Sequence, residues 1–170
     1  MDRGKAICEE LKKAGIHYLL WVPDSETHFM HDAIQGDPDL RLIKVCREGE
    51  AFAICGGLHL DGAKAALLVE NQGMFESGNA LKWAVGLGLP IVMLIGYLMH
   101  REMERTHQGM MFRGVKDYTE PFLDLFGVKH YLVDSDADFP KIALACQEAY
   151  ETSRPVAVLL TSADGYLPGS

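Results

Sequence analysis

A three-layer α/β fold, with a mainly parallel six-stranded sheet and helices on both faces, is what this sequence predicts. Three observations lead there. Apolar runs of strand length alternate along the chain with helical segments. Those runs are apolar on both sides, as strands covered on both faces of a parallel sheet are. With 170 residues, 48% of them hydrophobic, the chain can bury about two-thirds of its unfolded surface as a single domain.

The first helix starts after Asp2, which can cap it, and ends at Gly15. The first strand is Ile16-His17-Tyr18-Leu19-Leu20-Trp21-Val22. Further strands are expected near residues 41–45, 65–69, 91–95, 130–133 and 156–160, and helices near 27–34, 51–60, 74–87, 119–125 and 139–152. Residues 96–116, rich in Met, His and Arg, read as one long loop. A loop of about twenty residues in a compact domain is more often functional than idle, as a lid or a subunit contact.

Composition narrows the function. There are 24 acidic and 16 basic residues, a formal charge of −8, which argues against nucleic-acid binding and favours a cytoplasmic protein. No apolar run reaches membrane-spanning length, and Met1-Asp2-Arg3-Gly4-Lys5 leads into an amphipathic helix and not a signal peptide. Cys8, Cys46, Cys55 and Cys146 lack a Cys-x-x-Cys spacing and read as reduced thiols. A dinucleotide glycine fingerprint, a Walker loop, a serine elbow and a zinc spacing are all absent.

What remains is polar residues at three strand ends. Pro23-Asp24-Ser25-Glu26-Thr27-His28 follows the first strand, Arg47-Glu48-Gly49-Glu50 the second, and Glu70-Asn71-Gln72-Gly73 the third. Open α/β sheets bind ligands at that edge. A carboxyl there, such as Glu48, is partly shielded from water and suited to share a proton with a ligand nitrogen.

Taken in order, these motifs resemble the pyrimidine-binding domain of thiamine diphosphate-dependent 2-oxo acid decarboxylases, most closely sulfopyruvate decarboxylase and phosphonopyruvate decarboxylase. The matching positions are Val22-Pro23-Asp24-Ser25, Arg47-Glu48-Gly49, Gly57-Leu58-His59-Leu60, Glu70-Asn71-Gln72-Gly73 and Ile95-Gly96. The likeness holds from about residue 15 to 96 and loosens beyond. It implies that Glu48 is the catalytic residue, hydrogen-bonded to N1′ of the cofactor's aminopyrimidine so that the imino tautomer is favoured. It also implies that Asn71, Gln72 and Gly73 contact the cofactor, and that Pro23, Asp24, Ser25, His28 and His107 lie near the substrate.

Each residue has a plainer reading beside it. Glu48 could serve the helix dipole, as Glu50 does, and Asp24 and Ser25 could cap the next helix. Asn71 and Gln72 could close a turn, and His28 and His107 could be ordinary histidines. Arg101, Arg105 and Arg113 could hold an anionic substrate or be solvated. The chain also departs from the resembled pattern. Glu70 and Gln72 replace glutamine and serine, and Phe75-Glu76 replace glycine-asparagine. A charged Glu70 would disfavour a dianionic substrate.

Enzymes of this type hold diphosphate and Mg2+ through a Gly-Asp-Gly motif and a later asparagine. Asp61-Gly62 and Asp164-Gly165 lack that context. The resemblance therefore implies an α-type subunit. It works in an even-numbered hetero-oligomer with a β-type chain that carries the metal and diphosphate ligands. The helix over 74–87, with its glycines, suits close packing against that partner. Another thiamine diphosphate-dependent lyase or carboligase, or a non-catalytic α/β regulatory subunit, is the alternative.

Overall fold

The computed structural model describes residues 2–100 and 107–161, with side chains described outside residues 107–113. In chain order the elements are α1 (Arg3–Lys13), β1 (Tyr18–Trp21), α2 (His31–Gln35), β2 (Arg41–Lys44), α3 (Glu48–Leu60), β3 (Ala65–Glu70), α4 (Asn71–Glu76), α5 (Gly78–Leu87), β4 (Val92–Gly96), α6 (His107–Leu125), β5 (Lys129–Val133), α7 (Pro140–Thr152) and β6 (Val156–Leu160). The six strands form one sheet in the order β2-β1-β3-β4-β6-β5. All five pairings are parallel.

Alternation along the strands divides the core into two layers. In β1, Leu19 and Trp21 join one cluster with Ile7 of α1, Ile34 of α2 and Ile142 of α7. Leu20, between them, joins the other with Phe52 of α3, Met74 of α4, Leu81 of α5 and Leu123 of α6. The inner strands β3, β4 and β6 are buried on both faces along nearly their whole length, as their apolar runs require, while β2 and β5 at the sheet edges are only partly buried.

The helix ends follow local chemistry. Asp2 accepts from the Lys5 N–H at 2.9 Å, and Gly15, just past α1, has φ +79°, a conformation that glycine adopts without strain. Three segments differ from expectation. Residues 27–34 form a 3-10 turn (His28–Met30) and the short α2. The expected helix over 74–87 begins earlier, at Asn71, and breaks at Ser77, whose hydroxyl donates to Gly73 O at 2.8 Å and competes with the helix ladder. The expected loop 96–116 is helical from His107 onward. Its anchors are tertiary: Asn71 Nδ2 donates to Thr119 Oγ1 at 2.9 Å and the Tyr97 hydroxyl to Glu120 Oε1 at 3.0 Å.

All four cysteines are free thiols; Cys8, Cys55 and Cys146 are buried and Cys46 is exposed. Burial pushes each of the three buried thiols up to about 12, so they are inert packing groups. No helix among the described residues is long and apolar enough to cross a membrane.

Candidate functional site at the switch point of the sheet

From β1 the chain runs to β2 on one side and then crosses to β3 on the other. The carboxyl ends of β1 and β3 therefore flank a topological switch point, the place where open α/β sheets form a ligand crevice. The three motif-bearing segments converge there.

The segment after β1 is organised by Thr27, which is fully buried. Its N–H donates to Asp24 Oδ1 at 2.7 Å and its hydroxyl to Asp24 Oδ2 at 2.6 Å. The same hydroxyl accepts from Trp21 Nε1 at 2.9 Å. Both Asp24 oxygens are thereby engaged in holding the turn, the capping reading of this residue. Pro23, Ser25 and His28 are exposed, and His28 Nδ1 lies 3.2 Å from Ser25 O. Trp21 and Thr27 were not among the sequence candidates, because an apolar strand-end tryptophan gives no sign that its N–H supports a polar turn.

Glu48 is the first residue of α3 and is half-buried. Glu50 is the glutamate spent on the helix start: its Oε2 accepts from the Cys46 N–H at 3.1 Å. Glu48 instead lies over Gly73 of α4. A Cβ built on Gly73 would stand 2.5 Å from both Cγ and Cδ of Glu48, closer than such atoms approach. Glycine at 73 is thus the space that the Glu48 carboxylate occupies. Arg47, in place of the asparagine of the resembled pattern, pairs with Glu76 at 2.9 Å. Glu76 is itself a departure from that pattern, so the two departures meet as an exposed ion pair.

Asn71 is fully buried at the start of α4. Its Nδ2 donates to Thr119 Oγ1 at 2.9 Å and Leu98 O at 3.4 Å. Thr119 spends its own proton on Val115 O at 2.6 Å, so the amide orientation is fixed by two acceptors. Among the described residues Asn71 Oδ1 has no hydrogen-bond partner. A buried acceptor left unmet costs about 1–3 kcal/mol. Gln72 is exposed. His107 starts α6, but its side chain, like that of Arg113, lies outside the described residues, as do Arg101 and Arg105 altogether.

The crevice is acidic. Burial raises Asp24, even against the hydrogen bonds from Thr27. Burial and the nearby Asp24 charge raise Glu26. Glu70, the last residue of β3, is pushed up to about 7 by burial first and then by Asp24, Glu26 and Glu48, against a hydrogen bond from Ser25. Among the described residues no group of His, Cys, Asp and Glu is arranged to hold a metal ion.

No protein-family model matches the chain. Curated relatives do. The chain is 30% identical over 156 residues to "Sulfopyruvate decarboxylase subunit alpha" of Methanocaldococcus jannaschii, which covers 91% of this chain and 90% of that one. It is 25% identical over 162 residues to the protein of the same name from Methanococcus maripaludis, covering 94% and 95%. A third, from Methanothermobacter thermautotrophicus, is 30% identical over 98 residues, and there the match spans 59% of the relative's length. Two matches run nearly end to end in both partners, one of them at 30% identity, and the motif-bearing strand ends fall within chains of that one name. The chain belongs to the family of sulfopyruvate decarboxylase α subunits.

Proposed function

We propose that this chain is the pyrimidine-binding α subunit of a thiamine diphosphate-dependent decarboxylase acting on sulfopyruvate or a similar small anionic 2-oxo acid. The observation that carries the reading is Glu48, half-buried at the switch point over a glycine that leaves room for its carboxylate. Two features of the crevice suit an aminopyrimidine. Glu48 offers a carboxylate to a ring nitrogen, and Asn71, buried at the start of α4 and held by Thr119, fixes the backbone that follows β3.

Bound thiamine diphosphate supplies the nucleophilic carbon and the electron sink for loss of carbon dioxide from a 2-oxo acid. The chain's own residues bind and tune. Glu48 would hold a proton at N1′ of the pyrimidine, Asn71 would fix the start of α4 beside it, and Gly73 leaves the space that the carboxylate occupies. The backbone of Gln72 and Gly73 forms the floor. Pro23, Ser25 and His28 border the substrate side, above the turn fixed by Asp24 and Thr27.

The subunit names of the relatives imply a partner chain. In this reading the partner is a β-type chain with the diphosphate and Mg2+ ligands, the present chain is one pyrimidine-binding domain, and the assembly is an even-numbered hetero-oligomer in the cytoplasm. Exposed apolar side chains support a docked partner: Trp83 and Leu87 of α5 and Tyr118 and Leu125 of α6 are each more than half exposed. Phe75, Tyr118, Pro121, Phe122 and Leu125 line an apolar recess of about 370 Å³ between α4 and α6. Surfaces of this kind mark interaction sites.

The test is reconstitution. This chain mixed with the β-type chain, Mg2+ and thiamine diphosphate should release carbon dioxide from sulfopyruvate, and neither chain should do so alone. Full activity of this chain by itself, or none from the mixture across a panel of 2-oxo acids, would refute the reading.

A further inference from the structure

Thr27 is fully buried in the turn after β1, although Ser25 and His28 on either side of it are exposed. A buried hydroxyl must find hydrogen-bond partners, and the chemistry of these partners fixes the direction. The indole N–H of Trp21 can only donate, so the Thr27 oxygen accepts from it at 2.9 Å. The hydroxyl proton is left for Asp24 Oδ2, at 2.6 Å. The Thr27 N–H donates to the other Asp24 oxygen at 2.7 Å. A one-way chain, from indole to hydroxyl to carboxylate, thus joins the end of a core strand to the turn that follows.

Each end of this chain is anchored. Trp21 is buried and pairs in the sheet with Lys44 of β2 and Leu68 of β3. On the methyl side, a Cβ built on Gly96 would stand 2.8 Å from Thr27 Cγ2 and from Glu26 Cβ, so the turn is seated directly on the end of β4. The Thr27 carbonyl accepts from the Met30 N–H at 2.9 Å and opens the 3-10 turn His28–Met30. One residue thereby ties strand, turn and following helix together at the switch-point edge of the sheet.

What this buried knot presents outward is Ser25 and His28. His28 Nδ1 lies 3.2 Å from Ser25 O, an atom that can only accept. The proton is therefore assigned to Nδ1, and Nε2 is left for another partner. We propose that Thr27 is a positioning residue for decarboxylation: its hydroxyl, held between Trp21 and Asp24, sets where Ser25 and His28 stand against the anionic 2-oxo acid. Thr27 itself touches no substrate. A turn fixed in advance spares the ordering cost that a loose one meets on binding. The proposal rests on the decarboxylase reading and adds to it a residue behind the substrate-facing turn.

The experiment measures KM and kcat for sulfopyruvate in the reconstituted complex carrying Thr27→Val or Thr27→Ser. Valine keeps the shape and the methyl contact with Gly96 and removes the hydroxyl, so KM should rise about tenfold, the scale of a lost hydrogen bond to a charged group, with kcat less affected. Serine restores the hydroxyl and should return KM close to wild type. Ultraviolet resonance Raman spectra of the full-length chain read the relay without turnover. The indole N–H signal of buried Trp21 should move to its unbonded position in Thr27→Val and stay in Thr27→Ser. Should Thr27→Val fail to fold, Asp24→Asn decides: its amide cannot accept both Thr27 donors as the carboxylate does, and it should raise KM in the same way. A lower melting temperature with unchanged KM, serine no better than valine, or wild-type KM in Asp24→Asn would overturn the proposal and leave the decarboxylase reading intact. A complex that releases carbon dioxide from no 2-oxo acid would overturn both.

Discussion

Glu48 and Gly73 form the pair on which the site's geometry turns. The glycine sits inside α4 at ordinary helical dihedrals, so alanine there would strain no backbone and would raise helix propensity by about 1 kcal/mol. Its methyl group would nevertheless occupy the space of the Glu48 side chain. The carboxylate is the flexible end of a half-exposed chain, and it would swing away while the fold stayed intact. Gly73→Ala should therefore leave the melting temperature unchanged or higher and lower kcat/KM by roughly 100-fold, the scale set by a misplacement of about 1 Å in a catalytic group. A variant that melts early, or that melts normally and turns over normally, would speak against this role. The sequence shows Glu48 readily, as a carboxylate between a strand and a helix. That Gly73 exists to accommodate it is not readable, because the two residues are 25 positions apart and meet only in the fold.

The strands are the elements most plainly written in the chain. The inner strands are continuous apolar runs, the edge strands β2 and β5 carry charged or polar residues beside apolar ones, and all six lie at the positions expected from the sequence. The helices were less legible where tertiary contacts override local preference. α6 begins His107-Gln108-Gly109-Met110, carries Gly114 and has Pro121 within it, so local propensity favours a loop. Its described anchors are Thr119 and Glu120, held by Asn71 and Tyr97, and Phe122, which packs edge-on against Phe75 at 5.2 Å. The break at Ser77 follows from one hydroxyl bonding one turn back. At the strand ends, Gly96 tests the packing most sharply. A methyl group there meets carbon atoms of Glu26 and Thr27 that belong to a hydrogen-bonded turn with little room to move. Gly96→Ala should cost about 1–3 kcal/mol in urea denaturation through overpacking, and a variant as stable as wild type would show that the turn can shift freely.

The whole molecule puts its acidic crevice at one edge of the sheet and a run of exposed apolar side chains on α5 and α6. Exposed apolar surface of this kind marks an interaction site, consistent with relatives that are named as subunits. Arg47 and Glu76 replace a polar pair of the resembled pattern with an ion pair, largely exposed at 71% and 48% of their side-chain surfaces. Exposed pairs contribute about 0–1 kcal/mol, so this one is better understood as a local charge match than as a source of stability. The central claim is that the Glu48 carboxylate governs the cofactor's protonation, and the most direct measurement of it is kcat of the reconstituted complex carrying Glu48→Gln. The amide keeps the shape and removes the exchangeable acid, so kcat should fall by about 100-fold or more, with the assembly and melting temperature of wild type. Turnover undiminished in that properly assembled variant would contradict the account.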